Sequence, residues 1–266
     1  MRLATLLLLT GIVLGPQGLA VLTPEVIEVV RPAVAVALAV LGVTMVLGLG
    51  TYGSFWRAHL PSSLILIGAL SVALLHTDTI RTIVMTGQAA GIAVLLAASG
   101  WMLSSARSGQ DERRVFAIAV LLLLGGVADY LSVSALLLGW TAATAWRLMP
   151  AKGLADVRLD AAYVQQPTTA LLLVTAGATA QVSWQSTLFA AAGCAVALAA
   201  LAVLRRQWSF DVLSLNGVPV APAAFTVALV MDAVRLEPRL AVTLAAVVLG
   251  VSAFDLVTGL ARERAA

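Results

Sequence analysis

The chain has few of the charged residues that a water-facing surface needs. Of its 266 residues, 11% are charged and 61% are hydrophobic, whereas soluble domains carry about 25% charged residues. Because so little charge cannot cover a surface that faces water, we expect lipid to be the solvent for most of the chain. The sequence therefore predicts an all-α polytopic protein of the membrane.

Cysteine and histidine are also scarce, and their scarcity excludes several kinds of site. The single cysteine, Cys194, lies in an apolar segment, which excludes an intrachain disulfide and a cysteine-based metal site. Two histidines, His59 and His76, supply too few ligands for a zinc ion. No phosphate-binding glycine loop, His-Glu-x-x-His or Gly-x-Ser-x-Gly motif occurs in the sequence. We therefore predict no enzyme activity, no metal and no cofactor.

Long apolar segments follow one another along the chain with short loops between them. A transmembrane helix needs roughly 20 apolar residues, and segments without a two-residue alternation favour helices over a membrane barrel. We predict about ten helices, at residues 3–22, 32–50, 60–75, 82–104, 115–128, 131–148, 161–181, 183–204, 215–231 and 240–260. The sequence leaves open whether residues 115–148 form one broken helix or two. The six tryptophans fall mostly near span ends, as in an interfacial aromatic belt.

The basic residues predict the orientation of these helices. With ten spans and the amino terminus inside, 12 of the 16 arginines and lysines fall on one side. Cytoplasmic loops carry such an excess, so we predict an inner-membrane protein with both termini in the cytoplasm. These loops account for the net charge of +3 without a nucleic-acid partner. Residues 1–20 also match a cleavable signal peptide, but the charge distribution is satisfied with this first helix retained.

Ten helices divide into two sets of five, and an odd number per set inverts the second set relative to the first. We predict membrane repeat 1 at residues 1–128 and membrane repeat 2 at residues 129–266. Transporters with inverted repeats have broken helices in equivalent places, and the fourth and ninth spans contain helix-interrupting residues. These are Gly87, Gly91 and Gly100 in the fourth, and Gly217, Pro219 and Pro222 in the ninth. Ten-helix exporters of the drug/metabolite type fit the number of spans equally well.

Three stretches carry a resemblance to a known family. Residues 11–19 read Gly-Ile-Val-Leu-Gly-Pro-Gln-Gly-Leu, and Leu-Thr-Pro-Glu-Val follows at 22–26, before an apolar helix that ends in Leu-Gly-Leu-Gly at 47–50. Residues 125–140 and the tail at 248–259 complete the set. Together they resemble the monovalent cation:proton antiporters. The resemblance implies a helical transporter that exchanges protons for monovalent cations.

The chain departs from that family at the residues that bind the ion. Where the family has Gly-Leu-Glu, this chain has Gly48, Leu49 and Gly50, so the acidic residue is missing. The paired acids at mid-membrane have no clear counterpart, and Asp129, followed by Tyr130, is the nearest approach. If the kinship holds, the chain is a shortened relative whose ion site has been lost or rebuilt.

Ionisable residues inside the apolar segments are the candidate functional residues, because each costs about 2.5–3.5 kcal/mol at the bilayer centre. Asp129 is the first candidate for an acid that binds protons or cations, and Asp232 and Asp255 are further ones. Arg235, three residues after Asp232, and Arg81 are candidates for a gate or a charge pair. The alternative is structural: Asp129 in a wetted turn, Asp232 and Arg235 at a helix end, and Asp255 reaching towards the interface.

Two functions follow from these residues and both stay open. The first is a proton-linked secondary transporter of monovalent cations. The second is a degenerate, non-transporting membrane subunit or scaffold of a larger complex, which the missing acid and the short chain suggest. The expected partners are the lipid bilayer, a second copy of the chain or other membrane subunits, and protons or monovalent cations if the chain transports.

Overall fold

The computed structural model describes residues 3–48, 87–88, 91–100, 102, 110–148, 154–207 and 222–263. Within these ranges the chain is helical and contains no strand, which confirms the predicted all-α class for this part of the chain. The helices are α1 (Leu3–Leu14), α2 (Pro24–Gly48), α3 (Gln110–Tyr130), α4 (Ala135–Leu148), α5 (Leu154–Thr179), α6 (Trp184–Gln207), α7 (Pro222–Leu236) and α8 (Ala241–Glu263), with a 3-10 turn at Pro238–Leu240. A further helical stretch lies at Gly91–Gly100.

One helix among the described residues, Pro24–Leu47, is long and apolar enough to cross a membrane. Shorter apolar helices lie at Leu3–Leu14, Gly91–Gly100, Val115–Tyr130 and Ala241–Phe254. A buried helix of a soluble protein satisfies the same test of length and composition, so ten membrane spans stay a prediction. The predicted third span, residues 60–75, lies outside the described residues.

Residues 115–148 form two helices joined by a tight turn, which answers a question that the sequence left open. Helix α3 closes with a bond from the Leu131 N–H to the Val127 carbonyl oxygen at 2.9 Å. Ser132 then adopts a left-handed backbone with φ of 51°, a conformation uncommon for residues other than glycine. The Ser134 hydroxyl oxygen accepts a bond from the Leu137 N–H at 3.1 Å and caps α4. Asp129 therefore lies in the last turn of α3.

The chain forms two compact units that take helices from both halves of the sequence. Unit 1 contains α1, α6, α7, α8, the start of α2 and the end of α5. Unit 2 contains the rest of α2, the stretch Gly91–Gly100, α3, α4 and the start of α5. Helix α2 changes unit after Glu28, and α5 changes unit after Leu172. The predicted repeats, 1–128 and 129–266, divide the chain by sequence order and stay a prediction.

In unit 1, helix α8 packs against α6, α7 and α1. Leu8, Leu173, Val227, Leu244 and Val248 are among its buried apolar side chains. Helix α6 has large apolar side chains on its exposed face, namely Trp184, Leu188 and Phe189.

In unit 2, helix α3 packs against α4, and α2 is buried almost continuously from Val34 to Leu47. Trp146 of α4 is buried, and its Nε1–H donates to the Ala97 carbonyl oxygen at 2.8 Å. Trp146 therefore links two helices of the unit, whereas Trp140 and Trp184 are exposed. The interfacial belt stays a prediction.

We expect Trp146→Phe to lower the free energy of unfolding by about 1 kcal/mol, because phenylalanine keeps much of the bulk but cannot donate to Ala97. Thermal unfolding of the protein in detergent measures the loss. Trp140→Phe is the matched control at an exposed position of the same helix and should leave the melting temperature unchanged. Equal melting temperatures for both variants and the parent would contradict the bond's role.

Two glycines bring the backbones of α1 and α5 into contact in unit 1. Gly11 faces the carbonyl oxygen of Val174, and Gly177 faces the carbonyl oxygen of Leu8. A Cβ atom on Gly11 would lie 3.0 Å from the Ala178 nitrogen, and one on Gly177 would lie 3.1 Å from the Ile12 nitrogen. Small residues permit such close approach, which stabilises helix pairs in lipid.

The helices α2 and α4 make a second crossing of this kind in unit 2. Gly42 faces the carbonyl oxygen of Leu136, and Gly139 faces the carbonyl oxygen of Ala39. A Cβ atom on Gly42 would lie 2.9 Å from the Trp140 nitrogen. Neither glycine can therefore carry a side chain without displacing the backbone of the other helix.

The two crossings follow one pattern. In both, each glycine faces the carbonyl oxygen of the residue three positions before the glycine of the partner helix. The residue that follows Gly11 lies against Gly177, the residue that follows Gly177 lies against Gly11, and the residue that follows Gly139 lies against Gly42, in each case through its backbone nitrogen. The two crossings therefore share one glycine-to-carbonyl geometry, and the sequences of the helices decide which of them correspond.

Helix α2 corresponds to α5 in sequence, and α1 then corresponds to α4. Pro32 precedes Gly42 by ten residues and Pro167 precedes Gly177 by ten, and both prolines lie inside their helices. A threonine follows each glycine by two positions, and its hydroxyl donates to the carbonyl of the residue before the glycine. These bonds join Thr44 to Leu41 at 3.0 Å and Thr179 to Ala176 at 3.2 Å. The two helices therefore share the pattern Pro-x9-Gly-x-Thr.

Candidate functional site

A buried acid–guanidinium pair lies near the end of α7 in unit 1. Asp232 Oδ1 and Arg235 Nη2 are 3.6 Å apart, and each side chain is 6% exposed. The spacing of three residues places both side chains on one face of the helix. Helix α7 ends at Leu236, because Pro238 cannot continue it. The structure thus brings together Asp232 and Arg235, two of the residues selected from the sequence.

The electrostatic reason for this pair is the low polarity around it. An ionised side chain costs several kcal/mol to remove from water, and an opposite charge offsets that cost only at close range. The carbonyl end of a helix also disfavours an acid and favours a base. The position of Asp232 near the carbonyl end of α7 therefore disfavours its carboxylate. Arg235, in the last turn of the same helix, offsets this effect.

The end of α5 approaches α7 beside this acid. The Thr179 hydroxyl donates to carbonyl oxygens of its own helix and lies 3.7 Å from the Met231 sulfur. Met231 immediately precedes Asp232 and is buried. The α1–α5 crossing and the acid pair are therefore linked within unit 1 through Gly177, Thr179 and Met231. Neither Thr179 nor Met231 was expected from the sequence, and only the Gly-x-Thr spacing shared by α2 and α5 could have indicated Thr179.

A second acid–guanidinium pair lies in unit 2 and is more accessible. Arg31 Nε and Asp129 Oδ1 are 3.6 Å apart, with side chains 40% and 24% exposed. Asp129 lies one turn after Gly125, where a Cβ atom would be 2.7 Å from the Val36 nitrogen of α2. Exposed ion pairs contribute about 0–1 kcal/mol, so removing one partner of this pair should cost less than removing one partner of the buried pair.

Asp255 and Arg81 are the remaining candidates from the sequence. Asp255 lies in α8, but its side chain is outside the described residues, as is the whole of Arg81. The described residues contain no group of three or more side chains suited to a metal ion. Of the candidate acids whose side chains the structure describes, Asp232 is buried and Asp129 is partly exposed.

No protein-family model, curated protein or solved structure matches the chain. The resemblance to cation:proton antiporters therefore stays a prediction.

Proposed function

We propose that the chain is a polytopic membrane protein of ten helices, built as two inverted five-helix repeats, and that it is a proton-linked secondary transporter of monovalent cations. The observation that carries the proposal is the pair of matching glycine crossings. Each crossing joins the first helix of one half to the second helix of the other half. An internal duplication, parallel or inverted, requires this exchange, because a contact between one helix and a partner in the other repeat must recur with the roles reversed. The odd number of helices in each half favours the inverted arrangement.

Two features of the surface and packing support a lipid environment. Large apolar side chains are exposed on α3 and α6, among them Val115, Leu122, Leu123, Leu188 and Phe189. Such exposure is unfavourable in water and ordinary in lipid. Backbone-to-backbone crossings through glycine are also typical of helices in membranes.

Asp232 is the acid that we assign to coupling. An ionisable residue within a membrane helix is a functional candidate by default, and Asp232 is better shielded than Asp129. Its carboxylate would bind a proton or a monovalent cation, while Arg235 holds the carboxylate in place between binding events. Asp129 and Asp255 are the alternatives for the same role.

The test is ion exchange by the purified protein in liposomes that contain a pH-sensitive dye, under an imposed Na⁺ or K⁺ gradient. We expect the parent to exchange protons for the cation, and Asp232→Asn to reduce the rate at least tenfold, because asparagine keeps the shape but cannot titrate. Glu112→Gln, which removes an exposed carboxylate of α3, is the matched control and should exchange at the parental rate.

The other outcomes have distinct meanings. Exchange that survives Asp232→Asn but is lost in Asp129→Asn would move the coupling role to Asp129. A correctly folded parent that exchanges no ion under any gradient would contradict transport by this chain.

A non-transporting membrane subunit is the second candidate function. The observation in its favour is that Asp232 and Arg235 neutralise each other, as a purely structural pair does, and that the Gly-Leu-Glu acid is missing from residues 48–50. A parent without flux that purifies in a stable complex with other membrane proteins would support this function.

A further inference from the structure

Helix α2 consists of two parts that meet at Pro32. Before the proline, residues 24–31 are exposed or half-buried, whereas Val34 to Leu47 are buried almost without interruption. Pro32 has no N–H to donate to the helix ladder, and its ring crowds the preceding turn. Proline is also the commonest cause of a bend within a helix. The turn before Pro32 is therefore attached less firmly than the packed segment after it.

Helix α2 contacts α3 at two places, one on each side of this proline. All the residues that make these contacts belong to unit 2. After the proline, Val36 lies against the backbone of Gly125, where no side chain keeps the helices apart. Before the proline, Arg31 pairs with Asp129. Since Gly125 precedes Asp129 while Arg31 precedes Val36, the two helices run antiparallel. One contact is a fixed close approach and the other is an accessible ion pair.

We propose that Arg31 and Asp129 form a latch, which holds the turn of α2 at residues 29–31 against the end of α3 and releases it when the pair opens. The accessibility of both side chains suits a contact that must open and close. The packed Val36–Gly125 contact stays closed meanwhile and limits the movement to the turn before Pro32.

Helix α5, which corresponds to α2, has no charged residue at the position equivalent to Arg31. In α5 the residue before Pro167 is Gln166, at the position that Arg31 occupies before Pro32. The two repeats would therefore differ in how firmly this turn is held. Any effect of the latch on ion exchange rests on the proposed function, but the latch itself depends only on the contacts within unit 2.

Amide hydrogen exchange of the full-length protein in lipid nanodiscs tests the latch without measuring transport. In Asp129→Asn we expect the amides of residues 29–31 to exchange about two- to fivefold faster, as the loss of an exposed ion pair allows. The amides of residues 37–41, beyond the proline, should be unchanged. The charge-swapped double variant, Arg31→Asp with Asp129→Arg, should restore the parental rate, and Glu112→Gln should not alter it.

Two results would overturn the latch. One is unchanged exchange at residues 29–31 in Asp129→Asn. The other is faster exchange throughout α2 and α3, which would give Asp129 a general role in folding. If Asp129→Asn speeds amide exchange as expected but the parent transports no ion, only the proposed function is contradicted. If the parent transports ions but Asp129→Asn leaves amide exchange unchanged, only the latch is contradicted.

Discussion

Replacing Gly177 with valine is expected to prevent most of the protein from folding, with a loss of at least about 3 kcal/mol. The atom that the new side chain would meet first is the backbone carbonyl oxygen of Leu8, which cannot rotate away as a flexible side chain can. Gly139→Val should cause a similar loss, because the Ala39 carbonyl oxygen occupies the equivalent place. The measurements are the monodisperse fraction after detergent extraction and the melting temperature of that fraction.

Gly126→Val supplies the control for this prediction. Gly126 also lies in a helix, α3, but a Cβ atom there would have no atom within 4 Å. Valine at this position should fold at the parental yield and melt within a few degrees of the parent. If valine at 126 and valine at 177 gave the same yield, the close approach of α1 and α5 would be refuted.

The second large effect is expected from Asp232→Ala, which leaves the Arg235 guanidinium buried without its carboxylate. Breaking one side of a buried ion pair costs about 3–5 kcal/mol, whereas replacing both partners with apolar residues of similar volume is often neutral or stabilising. The double variant, Asp232→Leu with Arg235→Met, should therefore melt close to the parent. Thermal unfolding in detergent measures both variants.

The exposed pair provides the comparison for this second prediction. Asp129→Ala should cost about 0–1 kcal/mol, because water screens Arg31 when its partner is removed. A double variant at 232 and 235 that is as unstable as Asp232→Ala would show that the loss comes from packing and not from charge. A larger loss at Asp129 than at Asp232 would reverse the assignment of the buried site.

Local patterns in the sequence predicted the features that depend on neighbouring residues. The helical class of the described chain follows from its composition, and the separation of three residues is enough to predict that Asp232 and Arg235 share one helix face. The turn after Asp129 was one of two alternatives, because the apolar run gives no sign of where a helix closes. The left-handed conformation of Ser132 and the capping hydroxyl of Ser134 decide between them.

Features that join distant parts of the chain were not predictable in the same way. The chain has 21 glycines, and nothing in a single sequence shows which of them face the backbone of another helix. Likewise, the sequence gives no sign that Trp146 donates a hydrogen bond to the distant Ala97. The shared Pro-x9-Gly-x-Thr pattern of α2 and α5 was present in the sequence, but a match of three residues gains meaning only from the equivalent crossings.

The glycine crossings also have a consequence for the order in which the protein is made. Helices α1 and α2 are synthesised before α4 and α5, and the backbones that face Gly11 and Gly42 belong to α5 and α4, which follow more than 90 residues later. The backbones at Gly11 and Gly42 therefore lack their partner helices until the second half has been synthesised. Neither half can complete these crossings alone, and two halves produced as separate chains in one cell should associate through the four glycines.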